Sequence, residues 1–276
     1  PCGRHLDYRI ALPAEITLSS TAQPVIARID RQDPPASAQW CLFLDVDGTL
    51  LDIASTPDAV VVDVALRMLL QRVRDTLGGA LALVSGRSLE QLDTLFAPDL
   101  WTAAGLHGLE RRDARGRVHL AGAADPALDD ARQTLADVVA RAPGALLEDK
   151  GRSLAVHYRA APALEHVLRR ELRAIAARLG EDFHVLEGRR VLELKPVAAT
   201  KARAIEAFLA ESPFAGRRPM FIGDDVTDLD GFAAVEAAAG VSIAVGDRVE
   251  AMLRVASPRD VRALLADLAE QRVSAP

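Results

Sequence analysis

The chain has 276 residues, 50% of them hydrophobic but only 4% aromatic, so Ala, Leu and Val must fill the core of one large or two modest domains. With 39 acidic against 33 basic side chains the net charge is -6, which removes the basic footprint of a nucleic-acid binder. Two cysteines and no apolar stretch long enough for a bilayer argue against a disulfide scaffold, a zinc site or a membrane partner, and a cytoplasmic location is expected. The first residues lack a basic start followed by an apolar core, so no signal peptide is expected either.

In residues 1–39, Pro13, Pro24, Pro34 and Pro35 interrupt any helix. Ile16–Leu18 and Val25–Ala27 read as short strands or as parts of a partly ordered extension. From Trp40 the chain alternates. A buried strand at 40–46 precedes a helix at 63–77, whose apolar side carries Val64, Leu66, Leu69, Leu70 and Val73. Gly78 and Gly79 end that helix. A strand at 80–84, a helix at 88–96 and a short strand at 101–104 follow, a rhythm that predicts a parallel sheet with helices on both faces.

After Gly108 the rhythm changes. A strand at 117–120, a helix at 126–141, strands at 145–149 and 153–159, a helix at 163–179 and strands at 183–187 and 191–194 are predicted. The short connections around Gly151 and Gly188 read as hairpins, so an antiparallel α+β unit is inserted at 109–195. Helices at 200–210, 227–238 and 259–271 and strands at 219–222 and 241–245 then restore the first rhythm. The expected fold class is α/β: a Rossmann-like parallel-sheet core from 40–108 and 196–276, an inserted α+β unit, and an extension at 1–39.

Four pieces of chemistry sit where core strands end, the place where open parallel sheets bind ligands. The first is Asp45-Val46-Asp47-Gly48-Thr49. Two carboxylates two residues apart after a buried strand repel one another, and a hard divalent cation relieves them. An Asp-Gly turn alone would also explain Asp47 and Gly48. The second is Ser85-Gly86-Arg87, an anion-binding nest or a simple helix N-cap. The third is Lys201 in a first helical turn, where an anionic partner would offset the helix dipole. The fourth is Gly223-Asp224-Asp225-Val226-Thr227-Asp228, with more acids than capping needs and the makings of a second side to a hard-cation site.

In order and placement these pieces resemble the four motifs of the haloacid dehalogenase superfamily of phosphotransferases, with 109–195 as its larger, α+β type of cap. A narrower resemblance is to trehalose-6-phosphate phosphatases. It rests on Asp45–Thr49 with Leu50–Ile53 and Pro57, Ala104–Glu110, Glu148–Ser153 leading to His157-Tyr158-Arg159, Leu186–Gly188, Glu193–Pro196 and Gly223–Asp228. Two positions depart from the pattern: Leu229 stands where Glu is common, and Ala202 where Gly usually follows the motif lysine.

The resemblance implies Mg²⁺-dependent hydrolysis of trehalose 6-phosphate, or of a related sugar phosphate such as sucrose phosphate or mannosyl-phosphoglycerate. It makes Asp45 the nucleophile, Asp47 the general acid and base, and Lys201 the cation that offsets phosphoryl charge. Asp45, the Asp47 carbonyl and Asp224 would hold the metal, with Asp225 or Asp228 ordering its waters. Thr49, Ser85, Gly86 and Arg87 would bind phosphate. His107 and the cap residues Glu148, Lys150, His157, Arg159 and Glu187 would meet the sugar. The partner is a small-molecule sugar phosphate, and the oligomeric state stays open.

Overall fold

A computed structural model describes residues 39–53, 60–121, 127–188 and 190–270. The strands expected at 16–18 and 25–27 lie outside the described residues. In chain order the strands are β1 Trp40–Leu44, β2 Leu81–Val84, β3 Ala103–Gly105, β4 Glu110–Arg112, β5 Val118–Leu120, β6 Leu146–Asp149, β7 Leu154–His157, β8 Phe183–Gly188, β9 Val191–Pro196, β10 Arg218–Gly223, β11 Val241–Val245 and β12 Leu253–Val255. The helices are α1 Val64–Thr76, α2 Leu89–Phe96, α3 Ala127–Ala140, α4 Glu165–Leu179, α5 Lys201–Leu209, α6 Leu229–Ala237 and α7 Pro258–Glu270.

Eight strands form one sheet in the order β12-β11-β10-β1-β2-β3-β4-β5. The first six run parallel. All five residues of β1 are buried, because helices cover both faces of a central parallel strand. Succession runs from β1 through β2 to β3 on one side and from β10 to β12 on the other, so the order reverses at β1. Such a reversal opens a crevice at the carboxyl ends. Leu44 is level with Leu83 of β2 and Ile222 of β10, so the residues that follow these strands emerge together. Phe43 fixes the packing beneath, stacked on Phe208 at 5.9 Å and Phe214 at 5.4 Å between ring centres.

A second, antiparallel sheet has the order β6-β7-β9-β8 and packs on α3 and α4 around its own core of Leu135, Leu154, Val156, Leu168, Leu172, Leu192 and Leu194. The fold class is therefore the expected one, an α/β core carrying an α+β cap. Its expected lower limit at 109 needs correction. β4 and β5 form a hairpin that extends the large sheet antiparallel to β3, so the small sheet takes its strands only from β6 onward. The sharp reversal at His107 and Gly108, both at positive φ, turns Glu110–Arg112 back along Ala103–Gly105. Glu-Arg-Arg has no apolar alternation to announce a strand, and the three residues of β12 are too few to do so. No helix among the described residues is long and apolar enough to cross a membrane.

Candidate active site

Asp45 leaves β1 with its N–H donated to Ile222 O at 3.0 Å, which fixes it between the ends of β1 and β10. The chain then turns, Leu50 and Leu51 both donating to Val46 O. Gly48 takes φ +87 at that turn, and a Cβ there would lie 2.2 Å from Asp224 Oδ2. Only glycine therefore lets the first and fourth motifs touch.

Lys201 opens α5, whose N-cap Thr200 accepts from Arg203 N. Its side chain is 2% exposed, and its ammonium donates to Asp45 Oδ1 and Asp228 Oδ1, each at 2.6 Å. Burial alone would depress the lysine, but Asp228 and Asp45 hold it charged above its ordinary range. Asp228 is wholly buried, and its Oδ2 accepts the N–H groups of Asp224 and Asp225 at 3.0 Å. Asp228 thus ties the fourth-motif loop to the lysine.

Burial pushes the Asp45 carboxyl well above the usual range against the pull of Lys201, and Asp228 and Asp224 add to the rise. Asp224 is pushed up to about 7, first by burial and then by Asp228 and Asp225. Asp45, Asp224 and Asp228 each offer an oxygen within 4.8 Å of the others. An all-oxygen donor set with surplus negative charge suits a hard divalent cation and not zinc. Asp228 already has both oxygens engaged, which leaves Asp45 and Asp224 as the carboxylates best placed to hold one.

Asp47 is gripped by Arg87, whose Nε and Nη2 donate to its two carboxylate oxygens at 2.6 and 2.7 Å. The sequence placed Arg87 with the phosphate-binding groups; the structure puts it on Asp47 at the wall of the same cavity. Ser85 Oγ accepts the Arg87 N–H at 3.1 Å and keeps its own proton to donate. Thr49 is fully buried 3.5 Å from Asp224 Oδ1 and does not line the cavity.

The cavity encloses about 320 Å³ between core and cap. Asp45, Asp47, Ser85, Gly86, Arg87, His107, Lys201, Asp224 and Asp225 line it from the core, and Glu148, Lys150, His157 and Arg159 from the cap. Leu146, Leu186 and Val191 add an apolar wall. Glu148 accepts from His157 Nε2 at 2.8 Å and from Gln91 Nε2 at 2.7 Å. Burial opposes its ionisation, but His157, Lys150 and Gln91 bring the carboxyl down to about 2. Lys150 Nζ donates to Gly86 O at 3.0 Å and lies 3.5 Å from Glu193 Oε2.

Glu193 is buried and accepts from Ser153 Oγ at 2.6 Å, with His107 Nε2 3.2 Å from its other oxygen. Burial lowers His107 to about 4, so the ring is neutral at pH 7 and Nε2 carries the proton toward Glu193. Its Nδ1 is buried without a hydrogen-bond partner. Glu187 is not brought to the site. It pairs with Arg169 at 3.0 Å and Arg173 at 2.9 Å on α4, on the opposite face of β8 from the cavity-lining Leu186 and Gly188.

Sequence reasoning assigned no site role to Gln91 or Glu193, both of which line the cavity. Gln91 was hidden by its role in a capping box with Ser88. Glu193 carried a readable signal, an acid inside the apolar strand Val191–Leu194.

The family model for trehalose-phosphatases matches residues 43–260. A probable trehalose-phosphate phosphatase of Sinorhizobium fredii is 45% identical over 233 residues, covering 83% of this chain and 88% of that one. The trehalose-6-phosphate phosphatase of Escherichia coli is 41% identical over 231 residues, covering 83% and 86%. Among solved structures, a trehalose-6-phosphate phosphatase related protein superposes with a TM-score of 0.72 at 26% identity, covering 84% of this chain and 98% of its own. The C-terminal domain of the Candida albicans trehalose-6-phosphate phosphatase gives a TM-score of 0.79 at 19% identity over 93% and 99%, which shows a shared fold. With its four strand-end motifs and its cap, the chain belongs to the trehalose-phosphatase family, phosphoric monoester hydrolases.

Proposed function

We propose that this protein hydrolyses trehalose 6-phosphate to trehalose and phosphate through an aspartyl-phosphate on Asp45. The observation that carries the reading is Asp45 itself. It is a buried carboxyl group lining the cavity between core and cap, hydrogen-bonded to a charged lysine and within reach of Asp224.

Lys201 keeps Asp45 oriented and favours its ionised form against burial, and meets the negative oxygens of an arriving phosphoryl group. Asp45 attacks phosphorus while Asp47, which must first leave its two-pronged bond to Arg87 at the cavity wall and take up a proton from solvent, gives that proton to the departing sugar oxygen. Asp47 then takes a proton from the water that cleaves the acyl-phosphate, restoring both groups. Ser85 donates its hydroxyl to a phosphoryl oxygen. A hard divalent cation such as Mg²⁺, held by Asp45, the Asp47 carbonyl and Asp224, would add charge stabilisation at those oxygens.

Glu148, Lys150, His157 and Arg159 supply the donors and acceptors that sugar hydroxyls need, and a sugar lacking the matching hydroxyls leaves them unpaired. Phosphate release from trehalose 6-phosphate, sucrose phosphate and mannosyl-phosphoglycerate, with and without Mg²⁺, tests the reading. The expected result is a kcat/KM for trehalose 6-phosphate at least about a hundredfold above the others, roughly 2.7 kcal/mol of discrimination. A preference for either of the other two would move the assignment to that sister activity.

A further inference from the structure

We propose that Arg248 sets the charge of the cation site, weakening the bound metal so that an anionic phosphate can approach it. This inference rests on the reading that the strand-end carboxylates hold a divalent cation.

Arg248 lies in the turn that follows β11, at the carboxyl edge of the sheet where Asp45 and Asp224 emerge. Its Nη1 is 2.9 Å from Asp225 Oδ1. Asp225 lines the cavity beside Asp224, and Arg248 does not. The guanidinium therefore reaches the site from outside, through Asp225, without facing the sugar. The reading of the mechanism leaves this ion pair unused.

Charge arithmetic gives the pair a role. Asp47 is already neutralised by its two-pronged bond to Arg87. Asp45, Asp224, Asp225 and Asp228 remain, and Lys201 and Arg248 are the cations paired with them. With the metal bound, when all four are carboxylates, four negative groups against two cations among the described residues leave an excess of two negative charges, which one divalent ion balances. Without Arg248 the excess would be three. A metal would then be held more tightly, and a phosphate dianion would be repelled more strongly.

The two effects have opposite signs, and that is the signature of a charge-setting residue. Loss of a merely structural contact would loosen the loop and weaken both. Arg248 is partly exposed, with 37% of its side chain accessible, so its influence should also fall as salt rises.

The test is calorimetric titration of Mg²⁺ alone into the full chain, followed by inorganic phosphate at saturating Mg²⁺. Arg248→Gln should bind Mg²⁺ about fivefold to tenfold more tightly and phosphate at least about threefold more weakly. Arg248→Lys keeps the charge and should match wild type. In roughly 0.5 M salt the difference between Arg248→Gln and wild type should shrink. Unchanged or weaker Mg²⁺ binding by a folded Arg248→Gln protein, or weakening of both ligands together, overturns the proposal while leaving the metal reading intact. If wild type binds no Mg²⁺, the metal reading itself fails and this inference falls with it.

Discussion

Asp224→Asn should make the metal-free protein more stable while destroying its activity. The folded-state carboxyl is pushed up to about 7 by burial and by Asp228 and Asp225. An unfolded Asp titrates near 3.9. Between those values the folded state holds a proton that the unfolded chain has already lost. Stability therefore falls as pH rises from about 4 to about 7 and levels off above that window. Three pH units correspond to about 4 kcal/mol of folding free energy lost by pH 8. Asn is nearly isosteric and cannot ionise, so it avoids that cost. The one hydroxyl near the carboxylate, Thr49 Oγ1 at 3.5 Å, is too distant to add a strong bond that the change would break. Urea unfolding in EDTA at pH 5 and pH 8 measures the effect. The variant should exceed wild type by a few kcal/mol at pH 8, and the gap should narrow at pH 5. A variant that is less stable at pH 8, or a gap that does not change with pH, refutes the argument that repulsion and burial dominate this site.

Three further outcomes follow from the same geometry. Gly48→Ala forces a Cβ to 2.2 Å from Asp224 Oδ2 at φ +87; it should cost on the order of 2 kcal/mol by thermal or chemical unfolding, together with most of the phosphatase activity. Ala in place of Glu148 or Lys150 should lower kcat/KM for trehalose 6-phosphate by on the order of a hundredfold, about 2.7 kcal/mol, and barely affect a small aryl phosphate that needs only the core site. Equal losses on both substrates would instead place these residues in the chemistry or the fold. EDTA should abolish phosphate release and added Mg²⁺ should restore it; full turnover in verified metal-free protein would remove the cation from the mechanism.

Asp45, Ser85 and Asp224 were legible because each follows a short, largely apolar buried strand, where a polar side chain stands out. Lys201 was legible only in company, since one lysine at a helix start has many bland explanations. His157 and Arg159 could be placed on one face by alternation, and both line the cavity. The same alternation, applied to β8, would have turned Glu187 away, because Leu186 and Gly188 take the cavity side. Gln91 and the Glu193–His107 pair were illegible for a different reason. Their roles arise where cap and core meet, between residues 57 and 86 positions apart, and no local pattern records that contact. β4 and β12 were missed because three residues cannot display a period, while β5, read at 117–120, was assigned to the cap because nothing local shows which sheet it joins.

The central claim is that phosphate passes through Asp45. Asp47→Asn retains the nucleophile but lacks both the acid that protonates a sugar leaving group and the base that activates water, so it should accumulate the phosphorylated intermediate when mixed with Mg²⁺ and an activated aryl phosphate, whose leaving group needs no proton, and quenched in acid. Peptide mass mapping of the quenched protein should find one phosphoryl group, on Asp45, absent from the Asp45→Asn, Asp47→Asn double variant. Acid-quenched protein bearing no phosphoryl group despite phosphate release, or bearing it on another residue, would contradict the account.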